Sequence, residues 1–137
     1  MYEEIIMTKK RIELTEGEWM IMQAVWDNEP CAAPTIQENL EKTTGWSYST
    51  VKTMMDRMVE KGLLRTEKIR HLILYISAIT IKEAQRSEVK RTIRRAFGGL
   101  FAPMMQFLVD STNLSKKELD ELEAIIKNQK EKIKKVK

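Results

Sequence analysis

The chain is poor in the residues that bind metals or form disulfides, with one cysteine, Cys31, and one histidine, His71. A lone cysteine cannot form an intramolecular disulfide, so we expect Cys31 to be a small buried apolar side chain. One cysteine and one histidine also cannot supply the full ligand set of a structural zinc site. The sequence therefore predicts no metal and no cofactor.

Long apolar runs are missing as well. None reaches the roughly 18 residues that a membrane-spanning helix needs, and residues 1–6 lack the basic and apolar regions of a signal peptide. The sequence also has no glycine-rich phosphate loop and no paired nucleophile and base. We expect a cytoplasmic protein that makes no contact with a membrane and is not an enzyme.

The net charge of +4 is unevenly distributed along the chain. Residues 1–78 hold ten Lys and Arg against twelve Asp and Glu, whereas residues 79–137 hold fourteen against eight. Between Ser47 and Ser77, however, six Lys and Arg residues outnumber three Asp and Glu residues. The overall charge is thus weak evidence for DNA binding, and this local cationic segment is better evidence.

Two helices are predicted near the N-terminus. The first runs from about residue 15 to 28, because Thr15 and Glu18 have the spacing of a capping box and an apolar stripe follows them. The second begins at Ala33-Pro34-Thr35, since proline is accommodated in a first helical turn, and is broken at Gly45. The stripe of the first helix consists of Trp19, Met22, Val25 and Trp26.

A third helix and a hairpin come next. The helix begins after a cap at Ser47 or Ser49 and stops at Gly62. Two short segments rich in β-branched and aromatic residues then follow, Leu63–Ile69 and Leu72–Ser77. Arg70-His71 joins them, which predicts a β-hairpin with a basic tip.

The rest of the chain is predicted to be helical. A helix from Thr80 onward is kinked or broken at Gly98-Gly99, and Leu100–Val109 is a further apolar stretch. Asp110–Asn113 is expected to be a linker, and a capping box at Ser115–Glu118 begins the last helix. The apolar residues of the first of these helices, which lie among Lys and Arg residues, are Ile81, Ala84, Val89, Ile93, Ala96 and Phe97.

Three short helices followed by a β-hairpin is the winged-helix arrangement, a relative of the helix-turn-helix, in which the third helix enters the major groove. We predict a mainly α fold with a small β-hairpin: an N-terminal arm (1–12), a winged-helix DNA-binding domain (13–78) and a helical dimerisation domain (79–137). Short hydroxyls can approach bases, and cations can pair with phosphates. The candidate DNA-binding residues are Ser49, Thr50, Lys52, Thr53, Arg57, Arg70 and His71.

The C-terminal helices carry an apolar seam that suits pairing with a second helix, because its residues repeat at intervals of three and four. A homodimer would also sum the contacts of two DNA half-sites. The alternative is that these side chains pack within one chain. The candidate dimer-interface residues are Phe97, Leu100, Phe101, Phe107, Leu108, Leu119, Leu122, Ile126 and Ile133.

Several stretches together resemble the bacterial penicillinase-repressor family, which includes repressors of β-lactamase and methicillin-resistance genes. The likeness runs from about residue 13 through most of the chain. It is carried by Glu18–Met22 with Val25-Trp26, Trp46–Thr53, Glu60–Leu64, Tyr75 before Ser77, Gly98-Gly99 and Leu114–Leu119.

The resemblance implies a homodimeric repressor that binds palindromic operator DNA. Many members are released when a sensor-controlled protease cuts an Asn-Phe bond, which corresponds here to Gln106-Phe107. The Phe matches that pattern and the Asn does not. Two other functions remain open: a ligand-responsive winged-helix regulator, disfavoured by the short arm before the first helix, and a winged-helix protein–protein adaptor.

Overall fold

The computed structural model describes residues 12–136, and side chains up to Lys135. The predicted N-terminal arm therefore lies outside the described residues, apart from Ile12. The elements, in chain order, are α1 (Glu16–Asn28), α2 (Ala33–Thr44), α3 (Tyr48–Glu60), β1 (Leu64–Ile69), β2 (Leu72–Ser77), α4 (Ile81–Phe97), α5 (Phe101–Ser111) and α6 (Lys116–Val136).

Local capping determines where the first helices begin and end. The Thr15 side chain accepts a hydrogen bond from the Glu18 backbone N–H, and the Glu18 carboxylate accepts one from the Thr15 N–H, which completes the predicted capping box. Proline stands in the first turn of α2, and Gly45 ends that helix in the left-handed conformation, with φ of 69°. Both helix starts are as predicted.

The hairpin is antiparallel, with Leu64 opposite Ser77 and Ile69 opposite Leu72. Tyr75 of β2 also exchanges two backbone hydrogen bonds with Cys31, at 2.7 and 3.2 Å. This bridge ties the hairpin to the α1–α2 connection. Three helices followed by a two-stranded hairpin confirm the predicted mainly helical, winged-helix fold.

One apolar core holds α1, α2, α3 and the hairpin together. Cys31 is buried within it, as predicted. The side chains with the least solvent exposure come from all of these elements, which removes their apolar surface from water. They are Ile21, Met22, Val25, Ile36, Val51, Met55, Met58, Leu64 and Tyr75.

The described residues divide into two compact units, one ending at Arg91 and the other beginning at Thr92. Within the first unit, α4 contributes buried Ala84, Ser87 Oγ donates to the Ile12 carbonyl, and Arg91 donates to the Leu14 carbonyl at 3.4 Å. Within the second unit, no side chain among the described residues is fully buried. The assignment of DNA binding to 13–78 and of dimerisation to 79–137 stays a prediction.

One local expectation was wrong. The predicted linker at Asp110–Asn113 begins too early, because α5 continues to Ser111 and Gln106 Nε2 donates to the Asp110 carboxylate one turn later. On α4, Ala84 is buried, whereas Ile81 and Val89 are exposed. Periodicity located the helix correctly but did not tell which of its apolar residues have a partner.

Candidate nucleic-acid interface

The start of α3 is a cluster of hydroxyl groups. Ser47 is the N-cap, and its side chain accepts a hydrogen bond from the Thr50 N–H at 3.2 Å. Ser47 Oγ also donates to Thr50 Oγ1 and lies 3.1 Å from Ser49 Oγ. Of the two predicted caps Ser47 is the one used, so Ser49 and Thr50 lie in the first turn with exposed side chains.

One face of α3 is buried and the other is polar. Val51, Met55 and Met58 pack into the core, so the hydroxyl groups and the cation of the other face point to solvent. The exposed candidates on this helix are Ser49, Thr50, Thr53 and Arg57. A DNA major groove is wide enough to admit an α-helix, so the exposed polar face of α3 can enter it.

Lys52 differs from the other candidates on α3, because three oxygen atoms of two residues accept hydrogen bonds from its ammonium. Lys52 Nζ donates to Asp56 Oδ2 at 2.7 Å, to Asp56 Oδ1 at 2.9 Å and to Tyr75 Oη at 2.9 Å. Tyr75 Oη in turn donates to Asp56 Oδ1 at 2.7 Å. The expected contact between Lys52 and a phosphate therefore has to compete with this network.

The network also affects the ionisation of its members. Burial alone would raise the pKa of Asp56, but the hydrogen bonds from Lys52 and Tyr75 outweigh it and lower that pKa. The Asp56 and Tyr75 hydrogen bonds raise the pKa of Lys52. Burial, followed by the bond to Asp56, raises the pKa of Tyr75. At neutral pH the network thus contains an ammonium, a carboxylate and a neutral phenol.

Neither Asp56 nor Tyr75 was among the predicted site residues. The spacing of Lys52 and Asp56, four residues apart on one helix, is a sequence signal for such a pair. The sequence near Lys52 does not predict its bond with Tyr75, because Tyr75 is 23 residues further along the chain, on β2.

The tip of the hairpin carries the other two candidates. Arg70 adopts a left-handed conformation with φ of 58°, and both Arg70 and His71 are exposed. Ile69 and Leu72, the last pair in the ladder, are also exposed. The hairpin of β1 and β2, which is the wing of this fold, therefore ends in two polar side chains next to a solvent-exposed apolar pair.

The predicted dimer residues lie in the second compact unit, where most are exposed. The rings of Phe97 and Phe107 are 6.5 Å apart, and Phe107 is 62% exposed. A groove of about 410 Å³ within this unit is lined mainly by apolar side chains of α5 and α6. The exposed candidates are Leu100, Phe101, Phe107, Leu108, Leu119, Ile126 and Ile133, while Phe97 and Leu122 are half-buried.

The predicted cleavage position, Gln106-Phe107, lies inside α5, and both side chains are exposed. Among residues 12–136, no cluster of His, Cys, Asp or Glu has the arrangement of a metal site. Over the same range, no helix is long and apolar enough to cross a membrane.

Comparison with known proteins gives consistent matches. A profile of the family described as penicillinase repressor matches residues 14–128. The methicillin resistance regulatory protein MecI of Staphylococcus aureus is 26% identical over 88% of this chain and 98% of its own. The penicillinase repressor of Bacillus licheniformis is 27% identical over 89% of this chain and 95% of its own.

A solved structure also matches. It is the solution structure of the Bacillus licheniformis BlaI monomeric form in complex with the blaP half-operator. It is 26% identical to this chain, with a TM-score of 0.48, and covers 54% of this chain and 90% of its own.

Proposed function

Because the chain belongs to the penicillinase repressor family, we propose that it is a dimeric, sequence-specific DNA-binding repressor of transcription that acts in the cytoplasm. The helix α3 enters the major groove of a palindromic operator, and the wing contacts the adjacent backbone. The family is named for repressors and not for enzymes, and relatives of similar length are named as regulatory proteins or repressors.

The observation that carries the proposal is the exposed polar surface of the first two turns of α3. Ser49, Thr50 and Thr53 present small hydroxyl groups, which can donate to or accept from base edges at short range. Arg57 on the same helix and Arg70 at the hairpin tip supply cations for phosphates. Groups that can read bases and groups that can bind phosphates thus occur together on the exposed surface of α3 and the hairpin tip.

Dimerisation is supported by the large apolar side chains that the second unit leaves exposed. Contiguous exposed apolar surface commonly marks an interface. A dimer binds two half-sites and adds the contacts of both. This addition allows a small DNA-binding module to reach the affinity that specific recognition requires.

The Gln106-Phe107 bond is the position at which we propose release by a sensor-controlled protease. Both side chains are accessible, but the surrounding turn of α5 must open first, since proteases act on locally unfolded segments. Mass spectrometry of the chain recovered from stressed cells tests this step. Fragments ending at Gln106 support it, and cleavage only at other positions contradicts it.

The central proposal is tested by selection of binding sites from a pool of randomised duplex DNA, followed by binding measurements at several salt concentrations. We expect a palindromic motif to be enriched and affinity to fall steeply with salt. Replacing Arg57 with Gln should reduce the salt slope by about one, whereas Arg86→Gln, an exposed change on α4, should leave it unchanged. A chain that enriches no motif and binds without salt dependence would instead be the protein–protein adaptor.

A further inference from the structure

Asp56 is an unexpected residue on the proposed DNA-binding face. It lies seven residues after Ser49 and three after Thr53, and this spacing places all three residues on one side of α3. A carboxylate there is repelled by every nearby phosphate. A favourable contact with DNA would offset this repulsion, and the hydrogen bonds of Asp56 with Lys52 and Tyr75 indicate how such a contact could form.

The network neutralises the acid and fixes its orientation. Oδ1 accepts hydrogen bonds from both Lys52 and Tyr75, whereas Oδ2 accepts only from Lys52. An ionised carboxylate offers about four acceptor positions, so Oδ2 retains acceptor capacity. The Asp56 side chain is 52% exposed, which leaves this oxygen within reach of another molecule.

Tyr75 supplies the rigidity of the arrangement. Its ring is 1% exposed, and its backbone is hydrogen-bonded to Cys31 and paired with Thr66. The packing of the ring in the core and the pairing of the backbone therefore fix the position of the hydroxyl group. A carboxylate bound to a fixed donor loses less conformational freedom when it makes a further contact.

We propose that Asp56 is a specificity-determining residue that accepts a hydrogen bond from the exocyclic amino group of a base, preferentially the N4 amino group of cytosine, in the major groove. The inference rests on the proposed DNA-binding function. In the groove only cytosine and adenine present an amino donor, and carboxylates pair with the former. Lys52 and Tyr75 act as positioning residues, and Lys52 lowers the electrostatic cost of bringing the acid to DNA.

The experiment is binding-site selection with the full chain and with Asp56→Ala and Asp56→Asn, from the same randomised duplex pool. We expect the wild type to prefer cytosine at one position of each half-site by about tenfold. Asp56→Ala should lose that preference alone, and Asp56→Asn should shift it toward adenine, which an amide pairs with. Preferences are ratios between sequences bound by one sample, so partial unfolding of a variant does not change them.

Two further variants separate base reading from charge and from structure. Glu60→Gln removes one negative charge from the same helix, one turn beyond Asp56, and should raise affinity for all sequences without changing any base preference. Tyr75→Phe keeps the buried ring and should weaken the same single preference as Asp56→Ala.

The outcomes distinguish the two proposals. A wild-type chain that enriches no motif refutes the proposed function. A wild-type motif that Asp56→Ala reproduces at every position refutes the base contact while leaving the DNA-binding function intact, and Asp56 is then only a link between α3 and β2.

Discussion

The ion pair between Glu18 and Lys61 leads to a prediction about stability. Glu18 Oε2 lies 2.6 Å from Lys61 Nζ, and the two side chains are 7% and 53% exposed. The pair links the first turn of α1 to the residue that follows α3. We predict that Glu18→Gln destabilises the fold, although Gln can still accept the Thr15 N–H in the capping box.

The expected magnitude follows from the unequal burial of the two partners. Exposed ion pairs contribute about 0–1 kcal/mol, and breaking a fully buried pair costs roughly 3–5 kcal/mol. Since only Glu18 is desolvated here, we expect a loss of about 1–2 kcal/mol in the free energy of unfolding. Glu16→Gln, an exposed acid in the same helical turn, should change it by less than about 0.5 kcal/mol.

The effect should depend on pH with a defined sign. Burial alone would raise the pKa of Glu18, but hydrogen bonds from Lys61 and Thr15 hold it below its ordinary value of 4.5. A lowered folded-state pKa means that the stabilisation is present above pH 4.5 and is lost as the pH falls through the folded-state value. The difference between wild type and Glu18→Gln should therefore shrink in acid.

Urea unfolding of four proteins measures this interaction: wild type, Glu18→Gln, Lys61→Met and the double variant, each at about pH 7 and about pH 3. The double-mutant cycle isolates the pair from other interactions of Lys61. A coupling energy below about 0.3 kcal/mol near neutral pH, or one that persists unchanged in acid, would refute the reasoning.

Three other predictions concern the core, the DNA surface and the second unit. Met55→Ala leaves a cavity at a side chain with 0% exposure and should cost about 2–5 kcal/mol in urea unfolding; a loss under about 1 kcal/mol would contradict that burial. Thr50→Ala should weaken binding to the selected DNA by about 1–3 kcal/mol in gel shifts at fixed salt, and unchanged affinity would mean that α3 is misassigned as the recognition helix. Phe107→Glu should convert the proposed dimer to a monomer in sedimentation at micromolar concentration, whereas a variant that is as dimeric as the wild type would exclude this side chain from the interface.

Local patterns predicted the parts of the fold that depend on neighbouring residues. The capping boxes at Thr15 and Ser115 and the hairpin ending at Arg70-His71 lie where spacing placed them, because each depends on groups within one turn. These signals do not require knowledge of tertiary packing.

Contacts between distant residues were not predictable in the same way. Lys52 was expected to face phosphates, yet Tyr75 and Asp56 bind its ammonium. Likewise, Lys61 pairs with an acid 43 residues earlier in the chain. Which side chains meet across such separations depends on how α3 and the hairpin pack, and periodicity alone does not contain that information.

The bonds among Lys52, Asp56 and Tyr75 have a consequence for sequence divergence. Loss of Asp56 alone would leave Lys52 without its counter-ion and the buried Tyr75 hydroxyl without its acceptor. The three positions should therefore change together in the course of evolution. A lineage that replaces the acid should also replace Lys52 with a neutral residue and Tyr75 with Phe, while Val51 and Met55 on the buried face of the helix vary independently of them.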